Sequence, residues 1–243
     1  MRPVEFYAGL QAVYPGIDTS PRLAKVARTA NKYASGARRI LDIGCGDGTF
    51  AAELKCLLGA SAAFGVEISQ AAVDAANTRQ VAAHVVDIDQ STLPFDDGYF
   101  ELIYCGQVIE HLYDPDHLLD EIKRLLAPGG VAILDTPNLA SLVNRFALLL
   151  GYQPFLTDVS LRYHVGKLRP MDSGGGGHIR VFTKRALEDL LMRHRFSVLE
   201  ISGCAASEPA YGSYPLLWRF FDGIICRAAS LSMILIATFR KGG

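Results

Sequence analysis

The amino-acid sequence predicts an α/β fold, a mostly parallel sheet with helices on both faces. Three observations carry that prediction. Short apolar runs alternate with helix-period stretches from Ala37 to Asn138. A glycine-rich turn joins the first run to the first helix in "ILDIGCGDGTF", residues 40–50. Two acids, Glu67 and Asp87, stand at the ends of the second and third runs. Strands that alternate with helices need right-handed crossovers, and these cover both faces of a parallel sheet.

Each element has its own signal. "RRILDIG" is apolar and bounded by glycine, so it reads as a buried strand, and "TFAAELKCLLG" has helical spacing and stops on Gly59. "AAFGVEIS" is the second strand, followed by the helix "SQAAVDAANTR", with Ser69 placed to cap it. "AAHVVDID" is the third strand, and "YFELIYCG" the fourth after the turn "PFDDG". In "DPDHLLDEIKRLLAPGG", Asp114 caps, Pro115 suits the first helical position, and Pro128-Gly129-Gly130 ends the helix. Leu118, Leu119, Ile122, Leu125 and Leu126 form its buried stripe. "VAILDTPN" is the fifth strand.

The alternation then breaks. Residues 139–177 hold an apolar helical piece, "LASLVNRFALLLG", and an irregular run ending in the glycines 174–177. An insertion of this length in a compact sheet reads as a lid or substrate element. The pattern resumes with the helix "TKRALEDLLMRHRF" and the strand "SVLEISG". A second apolar stretch, "YPLLWRFFDGIICRAASL", precedes the final strand "SMILIATFRK". The expected organisation is a single domain over 1–243, with a helical cap over 1–36 and the insertion over 139–177.

Composition narrows the function. Half of the 243 residues are hydrophobic, a fifth are charged, and the formal net charge is −1. So nearly neutral a chain has no global basic field, and no nucleic-acid partner is expected. The five cysteines show no C-x-x-C pairing, which reads as buried thiols in a reducing compartment. No run reaches the roughly 20 apolar residues of a membrane span. The start "MRPVEFYAGLQAVYPG" lacks the apolar core of a signal peptide. The expected location is the cytoplasm.

In an open α/β sheet, ligands bind beyond the carboxyl ends of the strands, beside the first one. Gly44, Gly46 and Gly48 fall there, spaced G-x-G-x-G where a dinucleotide site asks for G-x-G-x-x-G. Glu67 is placed to accept the hydroxyls of a ribose. Asp87 is placed to accept from the exocyclic amine of a purine, with Asp89 as the alternative, and Ile68 and Ile88 follow the two acids to flank the base. No Lys or Arg occurs from Ile40 to Phe50, so a cationic nucleoside suits the pocket better than a diphosphate.

These residues carry a resemblance. "ILDIGCGDGTFA", "GVEIS" and the run from "DIDQSTLPFDDGYF" to "LDTPN" resemble the motifs of class I S-adenosylmethionine-dependent methyltransferases, over Arg39 to Asn138. "GHIRVFTKRALEDLLMRHRFSVLEISG" is similar to the later part of the subgroup that includes ubiquinone-biosynthesis and other small-molecule O-methyltransferases. The resemblance implies a Rossmann-like seven-stranded sheet with the last strand antiparallel, and S-adenosyl-L-methionine as cofactor. It implies that Asp42 orients the loop and that Gly44, Cys45 and Gly46 line the methionine and ribose part. Glu67 would bind the ribose, Asp87 with Ile88 the adenine, and Cys105 to Gln107 would lie beside the methionyl end.

Methyl transfer to oxygen needs a proton acceptor, and histidine is suited to that near neutral pH. The candidates are His111 in "QVIEHL" and His178 in "GGHIRVF". In the quinone-methylating enzymes a glutamate stands where this chain has Gln107, with an acid and a histidine downstream, a trio that suggests a divalent metal. Gln107 departs from it, so no metal is expected. Tyr7, Tyr14 and Arg180 are the substrate candidates, the last in a basic group from Arg162 to Arg185. The apolar helices around Phe146–Leu150 and Leu216–Ile225 read as core and lid, as a homodimer contact, or as a surface meeting a lipid-like acceptor or a membrane. The expected activity is methyl transfer to a small-molecule or lipid- or carrier-linked acceptor, with oxygen as the acceptor atom. Methylation of nitrogen, carbon or sulfur, and cofactor binding without catalysis, are the rivals.

Overall fold

A computed structural model describes residues 15–157, 159–160, 163, 165–168, 177–205 and 226–242. Tyr7 and Tyr14 lie outside the described residues, as does most of the apolar stretch 214–231. Helix α1 (Pro21–Ala34) opens with Ser20, whose side chain accepts from the Leu23 amide, and with Pro21 in the first turn. It is the described part of the expected N-terminal cap. The order continues β1 (Arg39–Ile43), α2 (Thr49–Leu58), β2 (Ala62–Glu67), α3 (Gln70–Thr78), β3 (Val81–Val85) and β4 (Phe100–Gly106). A short 3-10 turn (Ile109–His111) leads to α4 (Pro115–Leu125), β5 (Leu126–Pro137) and α5 (Leu142–Leu149). Helix α6 (Lys184–Arg193), β6 (Phe196–Cys204) and β7 (Ile234–Lys241) close the fold.

The strands form one seven-stranded sheet in the order β3-β2-β1-β4-β5-β7-β6. The first five pair in parallel, and β7 runs antiparallel to both β5 and β6. This is the expected Rossmann-like arrangement, with the last strand inserted antiparallel. Side chains alternate across it as a period of two requires. Leu41, Ile43 and Ile103 face α4 and α6 through Leu118, Ile122, Leu187 and Leu191. Ile40, Leu102 and Ile133 face α1, α2 and α3 through Val26, Phe50 and Val73. Each fully buried aliphatic side chain contributes about 1.5–3 kcal/mol. Both faces are covered, which is why the central strands β1, β4 and β5 are mostly apolar.

Two boundaries differ from the sequence reading. Leu126 leaves the helix and pairs with Phe100, and the next pairing is Val131 with Leu102. Pro128-Gly129-Gly130 therefore forms a bulge within β5, because the chain reaches the sheet before the turn residues. The third strand stops at Val85, short of Asp87, because the Asp87 carbonyl accepts from Gln90 and Ser91 and starts a turn.

Candidate functional site

The site is built at the carboxyl ends of β1, β2, β4 and β5, where the sheet order reverses. Gly44 has φ 80° and Gly48 φ 76°, in the left-handed region that favours glycine. The Val108 side chain packs against Gly44, and a methyl group at Gly48 would stand 2.8 Å from Ala76 Cβ. The turn is narrow on both sides. Amides of Gly44 and Cys45 donate to the Val66 carbonyl at 2.8 and 3.1 Å, which fastens the turn to β2.

Glu67 is held before any ligand arrives. Its Oε1 accepts from the amides of Ile68 at 2.7 Å and Ser69 at 3.2 Å, and its Oε2 from Gly46 at 3.1 Å. Asp42, the penultimate residue of β1, is 5% exposed, and its Oδ1 has no hydrogen-bond partner. Burial, with the Glu67 and Asp135 charges adding to it, pushes its carboxyl up to about 8. Asp87 accepts the Asp89 amide at 3.1 Å, while Asp89 itself accepts the Asp114 amide at 2.9 Å. That bond ties Asp89 to the start of α4, and Asp87 lies nearer the end of β3. Ile68 is half-buried, and Ile88 is buried among core residues. Cys45 and Cys105 are both buried: the Cys45 thiol lies against Gly65, and the Cys105 side chain belongs to the core. Both can meet a ligand through the backbone only.

A buried network that the sequence reading missed lies beneath the turn after β4. Asp135, fully buried on β5, accepts from Arg22 Nη1 at 2.9 and 3.0 Å, Tyr104 OH at 2.6 Å and Gln107 Nε2 at 2.8 Å. Gln107 also donates its amide to the Asp135 carbonyl at 2.9 Å, and it has φ 56°. The signals were present: an acid interrupts the apolar run "VAILDTP", and Arg22 shares a helical face with Val26. Neither signal names its partner.

The two histidine candidates meet. Their ring centroids are 4.8 Å apart. His111 Nδ1 lies 3.3 Å from the Gly177 carbonyl, and His178 Nδ1 lies 2.9 Å from the Leu156 carbonyl. A carbonyl only accepts, so Nδ1 of each ring carries the proton. Burial, with His178 adding to it, pushes His111 down to about 4 and keeps it neutral. Amides of Ile179 and Arg180 donate to the Glu110 carbonyl at 2.7 and 2.9 Å, which clamps the end of the insertion onto the 3-10 turn. Glu110 is fully buried; its Oε2 accepts from Thr136 Oγ1 at 2.9 Å, and its Oε1 has no hydrogen-bond partner. Burial pushes this carboxyl up to about 8. The Arg180 guanidinium turns outward to the Tyr113 carbonyl, at 2.9 Å. The remaining described histidines stand elsewhere: His84 on Phe95, His117 at the Ser91 carbonyl, and His194 between Asp116 and Asp120.

Known proteins share this fold. A family model described as a methyltransferase domain matches residues 11–201. An uncharacterised methyltransferase of Mycobacterium sp. (strain KMS) is 33% identical over 132 residues, covering 54% of this chain and 50% of that one. A ubiquinone biosynthesis O-methyltransferase of Psychrobacter cryohalolentis is 26% identical over 188 residues, 72% of this chain and 65% of its own length. The chain thus spans about half the length of the first of these relatives. Among solved structures, an S-adenosylmethionine-dependent methyltransferase from Mesorhizobium loti superposes with a TM-score of 0.62 at 18% identity, over 93% of this chain and 100% of that one. One from Archaeoglobus fulgidus superposes with a TM-score of 0.59 at 18% identity, over 90% and 94%. At such identities the structures speak for the fold, and the family model speaks for kinship. The chain belongs to the methyltransferase-domain family, within the class I S-adenosylmethionine-dependent methyltransferases.

Proposed function

We propose that the protein transfers the methyl group of S-adenosylmethionine to a hydroxyl oxygen of a small-molecule or lipid- or carrier-linked acceptor. The observation that carries the oxygen reading is the pair of histidines, His111 and His178, of which His111 follows by three residues the Val108 whose side chain covers Gly44. The bound cofactor supplies a methyl group activated by a sulfonium. Glu67 holds the ribose, Asp87 accepts the adenine amine between Ile68 and Ile88, and the open oxygen of Asp42 faces the methionyl end. Gln107, fixed by Asp135, sets the wall beside the methyl. With cofactor and acceptor bound, His178 would take the acceptor proton on Nε2, and His111 would orient it. Holding acceptor and methyl in line and dry supplies most of the acceleration. The insertion 139–177 serves as the lid, and Tyr7, Tyr14 and Arg180 belong to the acceptor side. Cys45, Cys105 and Cys204 are buried free thiols as expected, while Cys56 is exposed, and their unpaired state supports a cytoplasmic setting. Among the described residues, no helix is long and apolar enough to cross a membrane.

A divalent cation is the second reading. Donor atoms of Glu110, His111 and His178 lie within 4.8 Å of one another, a ligand set suited to such an ion. Gln107, in the place of the glutamate of the quinone-methylating enzymes, donates to Asp135 and offers no carboxylate to such an ion.

Calorimetry with S-adenosylmethionine, then tritiated-methyl transfer into metabolite and lipid extracts, tests the activity. Once an acceptor is found, His178→Ala is expected to lower turnover by about 10²–10⁴ with cofactor affinity unchanged. A loss under tenfold would assign His178 to bracing the lid. Activity abolished by a chelator and restored by a divalent cation would favour the metal.

A further inference from the structure

Helix α5 presents its sides in reverse. Its buried positions are Asn144 and Ala147, and polar bonds hold it to the body. Asn144 Nδ2 donates to the Asn138 carbonyl at 3.2 Å, and Asn144 Oδ1 accepts from the Phe155 amide at 2.8 Å. Val143 packs on the core, while the large apolar side chains of the second half point away: Phe146 is 54% exposed, Leu148 56%, Leu149 79% and Leu150 60%, with Tyr152 at 40% just beyond. A helix on a globular domain ordinarily buries its apolar stripe, and an exposed cluster of this kind marks a surface that meets something. The exposure continues along the insertion, where Val159 and Tyr163 are each 68% exposed.

Charge selects the partner. Between Leu139 and Met171 the sequence has four basic residues, Arg145, Arg162, Lys167 and Arg169, against one acid, Asp158. The chain as a whole carries −1, whereas this segment, which also exposes leucines, has an excess of three basic residues. Nucleic acid would meet the cations but gain nothing from the leucines. An anionic lipid surface fits both, because the acyl boundary receives the apolar side chains and the headgroups pair with arginine, Lys167 being turned onto the Pro154 and Thr157 carbonyls. The eight residues of α5 span about 12 Å against a hydrocarbon core of about 30 Å, so such a helix lies in the interface without crossing it.

We propose that α5 docks the protein on an anionic bilayer surface, with Phe146, Leu148 and Leu149 entering the headgroup–acyl boundary and Arg145 at its rim. Docking needs neither cofactor nor acceptor, so it stands or falls apart from the methyl-transfer reading. The test is flotation of the full chain with phosphatidylcholine vesicles made with and without phosphatidylglycerol. Binding to the anionic vesicles is expected, with a loss of at least about tenfold in the Leu148→Glu/Leu149→Glu double variant. Since both side chains are exposed, the melting temperature should stay the same. Absence of binding, equal binding to both vesicle types, or binding insensitive to the two substitutions would overturn the proposal. A melting temperature lowered by the substitutions would mean that the chain's own segment covers the face. Self-association that the substitutions abolish would assign the face to a second copy. Either result would also overturn it.

Discussion

Replacing Glu67 by alanine should weaken S-adenosylmethionine binding by about 10–150-fold, and the figure follows from the lone pairs of its carboxylate. A carboxylate offers about four acceptor sites. Three are taken, by the amides of Ile68 and Ser69 on Oε1 and of Gly46 on Oε2. One strong position remains, on Oε2, so the two ribose hydroxyls compete for it and one forms the full bond. A hydrogen bond to a charged group contributes about 1.5–3 kcal/mol, which gives the stated range. The three amides keep the oxygens in place before binding, so little ordering entropy offsets the gain. Calorimetry with S-adenosylmethionine and with an analogue lacking both ribose hydroxyls measures it. The substitution should matter for the first ligand and be nearly silent for the second. Equal losses for both ligands, or a loss under about threefold for the first, would refute the reasoning and leave Glu67 as a brace for the Gly46 turn.

Asp135→Ala removes the shared acceptor of Arg22, Tyr104 and Gln107. It should cost about 3–5 kcal/mol in urea unfolding, since breaking a buried pair from one side is severe. The paired replacement Arg22→Met with Asp135→Asn should recover more than half of that, and a single-variant loss under about 1 kcal/mol would contradict the network. For Glu110, the folded protein keeps to about pH 8 a proton that the unfolded chain releases near 4.5, so stability falls as pH rises through that window and levels above it. Asp42 acts likewise between 3.8 and about 8, while His111, at about 4 against 6.5, adds stability only as pH rises over its own lower window. Between pH 6.5 and 8 the two acids act alone, and Glu110→Gln should remove up to about 1.4 kcal/mol per pH unit from the slope of stability against pH. An unchanged slope would mean that Glu110 is ionised in the folded protein at neutral pH.

Much of this protein is local, and the local part is legible. Asp114 caps α4 by accepting the amide of His117 at 3.0 Å, and Gly59 ends α2 with φ 63°. Such bonds join residues a turn apart, so the residue types alone announce them. The cofactor end is legible for a related reason. The glycine turn and Glu67 belong to one strand–helix–strand unit, whose handedness and closeness follow from its connection. Contacts between distant segments carry no such mark. The sequence ranks His111 and His178 as rivals, and only the clamp of Ile179 and Arg180 on the Glu110 carbonyl makes them neighbours. It shows Asp135 as an odd charge in an apolar stretch and Arg22 as one of several cations on its helix, and the sheet order brings the two together across 113 positions of chain. The sequence leaves the apolar residues around Phe146–Leu150 open between core and lid, dimer contact and lipid-facing surface, and only the packing turns Leu148 and Leu149 outward, with Asn144 anchoring the helix by its polar side. Short-range order is decided by backbone bonds and caps that the sequence itself determines. Which side chains share a site or a surface depends on how whole elements pack, and only the tertiary structure decides that.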